Sequence, residues 1–303
     1  MKNNKKLSKI THKPSVMSVT SLVVLITYAT ILITALVWAF TFSFVDFENE
    51  IQYNIANGKS FLVLPSKISF DNLTAVSGAM KKTVPFGAGT RDVELVEMFV
   101  NSILYGVGVA FFGTLAPCIM GYMTSKYRCW FNKVIDVIVI VTMVLPIVGA
   151  LPSQLRISTS LQIYDTLYGL WIMAFGFANM YYLVFKAIFK SLPDALQEAA
   201  MVDGASDFRI CVQIMMPLVK TTFSSVMLIM FVSAWNNYTT PLAFAPNKPT
   251  AAYGLHMLIH GTRTSEPTLK MTGAMLLMIP ILVFFCLFNK KLLGELTVGS
   301  VKG

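Results

Sequence analysis

The sequence predicts an all-α membrane protein with six transmembrane helices. Of its 303 residues, 55% are hydrophobic and only 13% are charged, and the mean hydropathy is +0.65. Soluble domains usually carry about 25% charged residues, so this composition favours lipid as the main solvent. Six segments are also long and apolar enough to cross a bilayer core about 30 Å thick, which takes roughly 20 helical residues.

The first predicted span comprises residues 16–45. The basic segment before it, residues 1–15, is similar to the start of a signal peptide. The apolar run is too long for one, however, and no small-x-small cleavage site closes it. We therefore expect a retained first helix, with residues 1–15 as a tail and residues 46–92 as a polar loop.

Five further spans are predicted within residues 93–292, and residues 293–303 form a second tail. Proline residues inside some of these spans are compatible with helices, because neighbouring membrane helices can satisfy the carbonyl groups that proline frees. The predicted spans are 95–124, 134–153, 162–189, 218–242 and 271–292.

The basic residues predict both the orientation and the surroundings of the chain. The net charge of +9 would suggest a nucleic-acid partner in a soluble protein. Here most of the 24 Lys and Arg residues lie beside apolar segments, where they set orientation. Both ends are then cytoplasmic and the 46–92 loop is extracytoplasmic. We expect a multi-pass protein of the bacterial cytoplasmic membrane, surrounded by lipid and binding no nucleic acid.

A polar segment, residues 191–217, separates the fourth and fifth predicted spans and is cytoplasmic in this orientation. Its first part, DALQEAAMV, consists of good helix formers, and the Asp-Gly pair at 203–204 is typical of a turn. Ser206 and Asp207 favour the start of a second helix, which we expect Pro217 to end. The segment therefore predicts a helix–turn–helix at the cytoplasmic surface.

No motif indicates nucleotide, metal or covalent chemistry in this chain. GELTVGS at 294–300 has the glycine spacing of a phosphate-binding loop but lacks its lysine. The four cysteines lack metal-ligand spacing, and His256 and His260 have no third ligand nearby. Ionisable residues that mark ion-coupled transport are nearly absent from the spans, and Asp136 is expected to pair with Lys133.

A longer motif extends across both predicted helices of the 191–217 segment. Glu-Ala-Ala at 198–200 is followed by three residues, Gly204, nine residues and Ile-Met-Met-Pro at 214–217. This resembles the E-A-A-x3-G-x9-I-x-L-P signature of membrane subunits of ATP-binding cassette (ABC) importers, with Met216 in place of leucine. The resemblance implies a type I ABC importer permease fold. It also implies a coupling helix between helices four and five that contacts the ATPase through Glu198, Ala199, Ala200, Asp203, Gly204, Ile214 and Pro217.

The same resemblance implies the partners of the chain. Such importers contain two homologous permeases that share a pore, two ATPase subunits, which are identical or different, and a binding protein that docks outside. ATP and Mg would be bound by the ATPase subunits, so this chain would be no enzyme and would bind no cofactor. Closure of the ATPase pair would move the coupling loops, and the helix bundle would alternate between inward and outward access.

Other stretches resemble carbohydrate permeases of the maltose type. LPSKISFDNLTAV at 64–76 is similar to an element before the second helix of that branch, with Leu73 in the tyrosine place. GELTVGSVKG at the end is similar to the terminus of its second permease, with Glu295 in a glycine place. The resemblance implies a saccharide cargo and an extracytoplasmic sugar-binding protein, and among saccharides it favours an oligosaccharide. The remaining similar stretches are FVNSI at 99–103, MVLPIVGALP at 143–152 and SAWNNYTTPLAF at 233–244.

Six polar or aromatic residues inside apolar spans are candidates for the substrate path. Amide groups can bond sugar hydroxyls, and aromatic rings can stack on the apolar faces of a sugar. Trp and Tyr at a helix end are equally typical of an interfacial belt, and buried Asn residues also join membrane helices. The candidates are Trp235, Asn236, Asn237, Tyr238, Asn179 and Asn101.

Three other functions remain open from the sequence. An ABC importer for peptides, amino acids or another small solute would share the coupling motif. An ion-coupled carrier would need membrane-buried carboxylates, and a membrane enzyme would need a catalytic constellation. The 46–92 loop is compatible with contact to a binding protein or with a simple tether.

Overall fold

The computed structural model describes residues 16–57, 65–127, 129–145, 149–261 and 266–298. The predicted tail 1–15 and residues 299–303 of the second tail lie outside these ranges. Within them the chain consists mostly of helices joined by short turns, together with one small sheet.

The part of the chain before residue 94 contains one long membrane helix followed by short elements. The short elements lie within the polar loop that the sequence predicts at 46–92. In chain order, the elements of this part are α1 (Val16–Phe42), a π-helical turn (Phe47–Gln52), α2 (Tyr53–Ala56), α3 (Asp71–Ala79), β1 (Lys82–Phe86) and β2 (Gly89–Val93).

The two strands correct the prediction that the chain is all-α. β1 and β2 pair antiparallel, with Lys82 opposite Val93. Gly87 joins them with φ of +59°, a conformation that glycine adopts without steric cost. Val84 and Val93 are buried in an apolar cluster while most of their strand neighbours are exposed. The alternation of strand side chains therefore lets the hairpin cover one end of the helix bundle, called here the hairpin end.

The rest of the described chain is helical. Its elements are α4 (Leu95–Lys126), α5 (Asn132–Val144), α6 (Ala150–Ser160), α7 (Leu167–Ala174), α8 (Met180–Ser191), α9 (Ala195–Val202), α10 (Asp207–Arg209), a π-helical segment (Ile210–Met215), α11 (Met216–Leu218), α12 (Lys220–Asn236), α13 (Thr239–Phe244), α14 (Ala251–His260) and α15 (Pro267–Val298).

Helix α4 is central and packs against α7, α8 and α12. Two glycines allow this close packing. A Cβ on Gly121 would lie 2.9 Å from the backbone nitrogen of Lys186 in α8, and one on Gly108 would overlap the ring of Trp171 in α7. Pro117 lies inside α4 without ending it, as expected where neighbouring helices surround the backbone.

Three of the described helices are long and apolar enough to cross a membrane. They are Met17–Phe42 in α1, Leu95–Lys126, and Pro267–Cys286 in α15. A fourth span results if Asp207–Leu218 and Lys220–Asn236, which meet at an angle of 76°, are counted together. The count of six spans and their orientation therefore remain predictions.

The predicted third and fourth spans each consist of two shorter helices. In the third, α5 ends at Val144 and α6 begins after Gly149, whose φ is +83°. In the fourth, residues 162–166 form a turn and residues 175–179 separate α7 from α8. Hydropathy measures how favourably side chains enter lipid, but it does not show whether the backbone is one continuous helix. A continuous apolar run is therefore compatible with a break between two helices.

Buried apolar clusters lie at both ends of α4. At the hairpin end, side chains from α3, the hairpin, α4, α14 and α15 form one cluster. At the opposite end, side chains from α4, α8 and α12 form another with residues of the 191–217 segment. This second end is called the loop end. The 191–217 segment is thus packed onto the bundle and is not a free connection.

Candidate functional site in the E-A-A loop

Residues 191–217, called here the E-A-A loop, contain the helix, turn and second helix that the sequence predicts. Helix α9 ends in a turn in which Gly204 N–H donates to Met201 C=O and Ala205 N–H donates to Ala200 C=O, each at 3.0 Å. Gly204 has φ of +77°. Glycine adopts this left-handed conformation at the end of a helix without steric cost, which explains why the motif has glycine there.

The second helix of the E-A-A loop begins as predicted but ends later. The Ser206 hydroxyl caps it by accepting from Arg209 N–H at 3.4 Å, and Asp207 in its first turn favours the positive helix end. Pro217 does not end it, because the helix continues to Leu218 and bends by 76° at Val219 into α12. A proline in the first turn of α11 needs no backbone donor.

One face of the E-A-A loop is buried against the bundle. Ala200, Ile210 and Met215 belong to the apolar cluster at the loop end. Ile214 is half-buried against the same cluster. Of the motif residues, Ala200, Ile214 and Met216 therefore attach the loop to the bundle, while the others are exposed.

The opposite face is exposed and carries both apolar and acidic side chains. Val202 is 87% exposed and Phe208 is 78% exposed, one on each side of Gly204. A Cβ at Gly204 would meet nothing within 4 Å. The motif residues Glu198, Ala199, Asp203 and Pro217 are also exposed. Large exposed apolar side chains beside charged ones are typical of a protein contact surface.

Two consecutive residues at the loop end of α4 hold both helices of the E-A-A loop. The side chain of Lys126 is 1% exposed, and its ammonium group donates to Leu192 C=O at 2.6 Å and to the Asp194 carboxylate at 2.7 Å. The Tyr127 hydroxyl donates to the Asp207 carboxylate at 3.0 Å. Asp194 precedes α9 and Asp207 begins α10, so each helix is attached to α4 at its start.

Tyr127 is protonated in this arrangement. Burial, together with the nearby Asp207 carboxylate, raises the pKa of the Tyr127 phenol above its ordinary value. A phenol is a donor only while it keeps its proton. The contact between Tyr127 and Asp207 is therefore present throughout the neutral pH range. No local pattern predicts this contact, because Tyr127 and Asp207 are 80 residues apart in the chain.

The partner of Asp136 differs from the one that the sequence predicts. Asp136 pairs with Lys186 of α8, whose ammonium group lies 2.6 Å from one carboxylate oxygen, and not with Lys133. The Tyr182 hydroxyl donates to the same carboxylate at 2.8 Å. Lys133 is in the first turn of α5 and is only one helical turn from Asp136, but the pairing side chain comes from the helix packed alongside. This pair joins α5 to α8.

Trp235, a candidate for the substrate path, is buried in the bundle. Its side chain is 3% exposed, and its indole N–H donates to Leu277 C=O of α15 at 3.1 Å. The rings of Phe99 and Phe231 lie beside it, with centroids 6.1 and 5.9 Å away. In this conformation Trp235 joins α4, α12 and α15.

The three candidates after Trp235 lie where α12 ends. Asn236 is exposed and donates to Val232 C=O in its own helix at 2.9 Å. The Asn237 carbonyl oxygen accepts from Thr240 N–H at 3.0 Å, which supports the start of α13. The ring of Tyr238 stacks on His256, with centroids 4.1 Å apart. Helix α12, within the predicted fifth span of 218–242, ends at Asn236.

The two remaining candidates also make structural contacts. The Asn101 amide is buried and donates to Pro249 C=O at 3.1 Å. Asn179 caps α8 by accepting from Tyr181 N–H at 3.0 Å. Over the described residues, no group of three or more His, Cys, Asp or Glu side chains is placed to hold a metal ion.

The described helices form an apolar bundle suited to a membrane, and the E-A-A loop is packed on one end of it with part of its surface exposed. The chain belongs to the family of binding-protein-dependent transport system inner membrane components, whose family model matches residues 113–292. It is therefore a multi-pass protein of the inner membrane and a transport subunit.

Curated relatives match most of the chain. The arabinooligosaccharides transport system permease protein AraQ of Bacillus subtilis (strain 168) is 26% identical over 241 residues, covering 79% of this chain and 81% of AraQ. The sn-glycerol-3-phosphate transport system permease protein UgpE of Escherichia coli (strain K12) is 28% identical, with coverage of 67% and 73%. The trehalose transport system permease protein SugB of Mycobacterium tuberculosis is 24% identical, with coverage of 80% and 85%.

A solved structure has the same fold. One chain of a bacterial ABC transporter involved in the import of the acidic polysaccharide alginate aligns with a TM-score of 0.68 and 21% identity. The alignment covers 91% of this chain and 96% of that one. The fold is therefore that of a type I ABC permease.

Proposed function

We propose that this chain is the channel-forming permease subunit of an ATP-driven, binding-protein-dependent importer of a saccharide. The E-A-A loop is then cytoplasmic and docks on an ATPase subunit. A second permease completes the pore, and an extracytoplasmic sugar-binding protein delivers the cargo. ATP and Mg are bound by the two ATPase subunits, so this chain binds neither.

The observation that carries the docking role is the exposed face of the E-A-A loop. Val202 and Phe208 expose most of their surface on either side of Gly204, where no side chain fills the space. Removing such apolar surface from water favours association. Glu198 and Asp203, close to them in the chain, are exposed as well. The partner that fits this face has an apolar groove with basic residues at its rim.

The packing of the loop supports a mechanical role. Its inner face belongs to the same apolar cluster as α4, α8 and α12, and its second helix continues into α12 through the bend at Val219. A force applied to the exposed face is therefore passed on to several helices. Closure of two ATPase subunits would move the loop and shift the bundle between inward and outward access.

A saccharide is the best-supported cargo. The names of AraQ and SugB specify arabinooligosaccharides and trehalose, and together they favour an oligosaccharide. The name of UgpE specifies sn-glycerol-3-phosphate, which makes a phosphorylated polyol the second candidate. The two classes differ in charge, so a direct transport assay separates them.

Co-purification from the native host tests the docking role. A tagged chain is extracted in mild detergent, with Phe208→Ser in parallel and Phe70→Ser as the matched control. Phe70 is 64% exposed and precedes α3, far from the loop. We expect an ATPase to co-purify with the unchanged chain and the control but not with Phe208→Ser. An equal yield of ATPase from all three would contradict docking through this face.

Uptake by membrane vesicles tests the cargo. Radiolabelled arabinooligosaccharides, trehalose and sn-glycerol-3-phosphate are offered together with ATP and the binding protein that co-purifies with this chain. We expect ATP-dependent uptake of a saccharide. Uptake of the phosphorylated polyol alone would favour the second candidate, and uptake driven by an ion gradient without ATP would overturn the proposal.

A further inference from the structure

Helix α4 makes polar contacts at both of its ends. At the loop end, Lys126 and Tyr127 bond to Asp194 and Asp207 of the E-A-A loop. These contacts join the beginning of α9 and the beginning of α10 to the same two residues of one helix. Displacement of either part of the loop therefore pulls on α4 directly.

At the hairpin end, α4 is bonded to the segment between α13 and α14. The Asn101 amide donates to Pro249 C=O at 3.1 Å, and the Ser102 hydroxyl accepts from Ala251 N–H at 2.7 Å. Both side chains are buried. The contacts fix the 245–251 segment, which follows α13, to the first turns of α4.

Further contacts make the 245–251 segment a junction at the hairpin end. The Asp165 carboxylate accepts from the backbone N–H and the side-chain amide of Asn247, each at 2.8 Å. The ammonium group of Lys82 in β1 donates to Pro246 C=O. The turn before α7, the hairpin and α4 therefore all meet at this segment.

Helix α4 connects these two regions without a break. It has 32 residues, which at 1.5 Å per residue gives a length of about 48 Å. The close approach of Gly121 to the backbone of α8 keeps it firmly packed. By contrast, the covalent route from the loop into α12 passes through the 76° bend at Val219.

We infer that α4 transmits movement of the E-A-A loop to the 245–251 segment at the opposite end of the bundle. Lys126 and Tyr127 are positioning residues for this step, because they attach the loop to the helix. The inference rests on the proposed function, in which the loop moves with an ATPase. The contacts of Lys126 and Tyr127 form a non-covalent route from the loop into the bundle, in addition to the covalent route through α12.

Weakening the attachment without disturbing the docking face tests this inference. The test variant combines Lys126→Met with Tyr127→Phe. The first change removes both bonds of the ammonium group to the loop and leaves no buried charge behind, and the second removes only a hydroxyl group. The matched control combines Lys67→Met with Tyr53→Phe, which are exposed residues of the 46–92 region. All are purified as complexes from the native host.

Hydrogen–deuterium exchange with and without MgATP is the readout. Ala251 N–H reports the junction directly, because it is bonded to Ser102 of α4. We expect an ATP-dependent difference in exchange over residues 245–254 in the unchanged complex and in the control. The test variant should keep its ATPase and hydrolyse ATP but lose this difference.

The outcomes separate the inference from the proposed function. An unchanged ATP-dependent difference in the test variant would overturn the inference and leave docking intact. Loss of the ATPase from the test variant alone would also overturn it, because the two residues would then only shape the docking face. Absence of any ATPase from the unchanged complex would overturn the proposed function, and the inference with it.

Discussion

Lys126 and Asp194 form an ion pair whose two sides lie in different environments. The ammonium group is 2.7 Å from the carboxylate, but the side chain of Lys126 is 1% exposed and that of Asp194 is 74% exposed. The aspartate can exchange its partner for water, whereas the lysine cannot. Removing one partner should therefore have a different effect from removing the other.

We predict that Asp194→Ala destabilises the bundle more than Lys126→Met does. The alanine variant leaves a buried ammonium group with Leu192 C=O as its other acceptor, at a cost of about 1–3 kcal/mol. The methionine variant removes the buried charge, and the aspartate side chain is already exposed to solvent. Thermal unfolding of the purified chain in detergent gives the midpoint of each variant, with Asp71→Ala as an exposed control. Equal midpoints for the two variants would contradict this account.

We predict that Gly204→Asp prevents ATPase co-purification while the bundle remains folded. Aspartate tolerates the left-handed conformation better than most residues, and the strain costs about 1 kcal/mol. Open space around the glycine accommodates the new side chain in the free subunit. That space would be filled by the partner, so docking should be lost. Gly204→Asn, which has the same size without the charge, separates the effect of bulk from the effect of the added charge.

Gly87→Asp is the matched control for that change. Gly87 also has positive φ, and a Cβ there also meets nothing within 4 Å, but it lies in the hairpin turn. It should keep the ATPase. Loss of the ATPase from both variants would point to a general folding defect.

We predict that Trp235→Ala acts through stability. Truncation of a buried tryptophan typically costs about 3–5 kcal/mol, and this one also loses its bond to Leu277 C=O. Trp235→Phe should cost about 1 kcal/mol, and Trp130→Ala, at an 84% exposed position, should cost little. Thermal unfolding and uptake are measured together. Reduced uptake at unchanged stability would instead favour a place for Trp235 in the substrate path.

We predict that Gly121→Ala destabilises the packing of α4 on α8. The new methyl group would lie 2.9 Å from backbone atoms of α8, which cannot rotate away. Overpacking of this kind typically costs about 1–3 kcal/mol. Gly78→Ala in α3 is the control, since a Cβ there meets nothing within 4 Å and alanine favours helix by about 1 kcal/mol. A similar unfolding midpoint in both variants would contradict the close contact.

Local sequence patterns predicted the parts of the fold that depend on residues close together in the chain. The turn at Gly204 follows from an Asp-Gly pair between helix formers, and the cap at Ser206 from the preference of serine for that position. Apolar runs located the long helices α1, α4 and α15. The hairpin was missed because its strands are short, mixed in charge and separated by a turn that hydropathy does not distinguish from a loop.

Contacts between distant parts of the chain could not be predicted. Asp136 is three residues from Lys133, but packing brings Lys186 to it instead. Lys126 and Asp194 are separated by 68 residues, and no pattern in either neighbourhood indicates the pair. Trp235 has polar neighbours in the sequence, as a residue that lines a substrate path would. Its contact with α15 depends on the fold and could not be read from those neighbours. The sequence therefore predicted which loop is a candidate contact site but not how it is attached.

The isolation of α1 has a consequence for how its sequence can vary. The apolar window of this helix buries none of its residues against the described parts of the chain, and only its end near Phe42 joins a core cluster. Within this chain, α1 therefore needs enough apolar residues to span the membrane, but the shapes of its side chains matter less. Substitutions among Leu, Ile, Val and Phe along α1 should therefore disturb the packing of this single chain little, whereas substitutions of Gly108 and Gly121 in α4 should disturb it strongly.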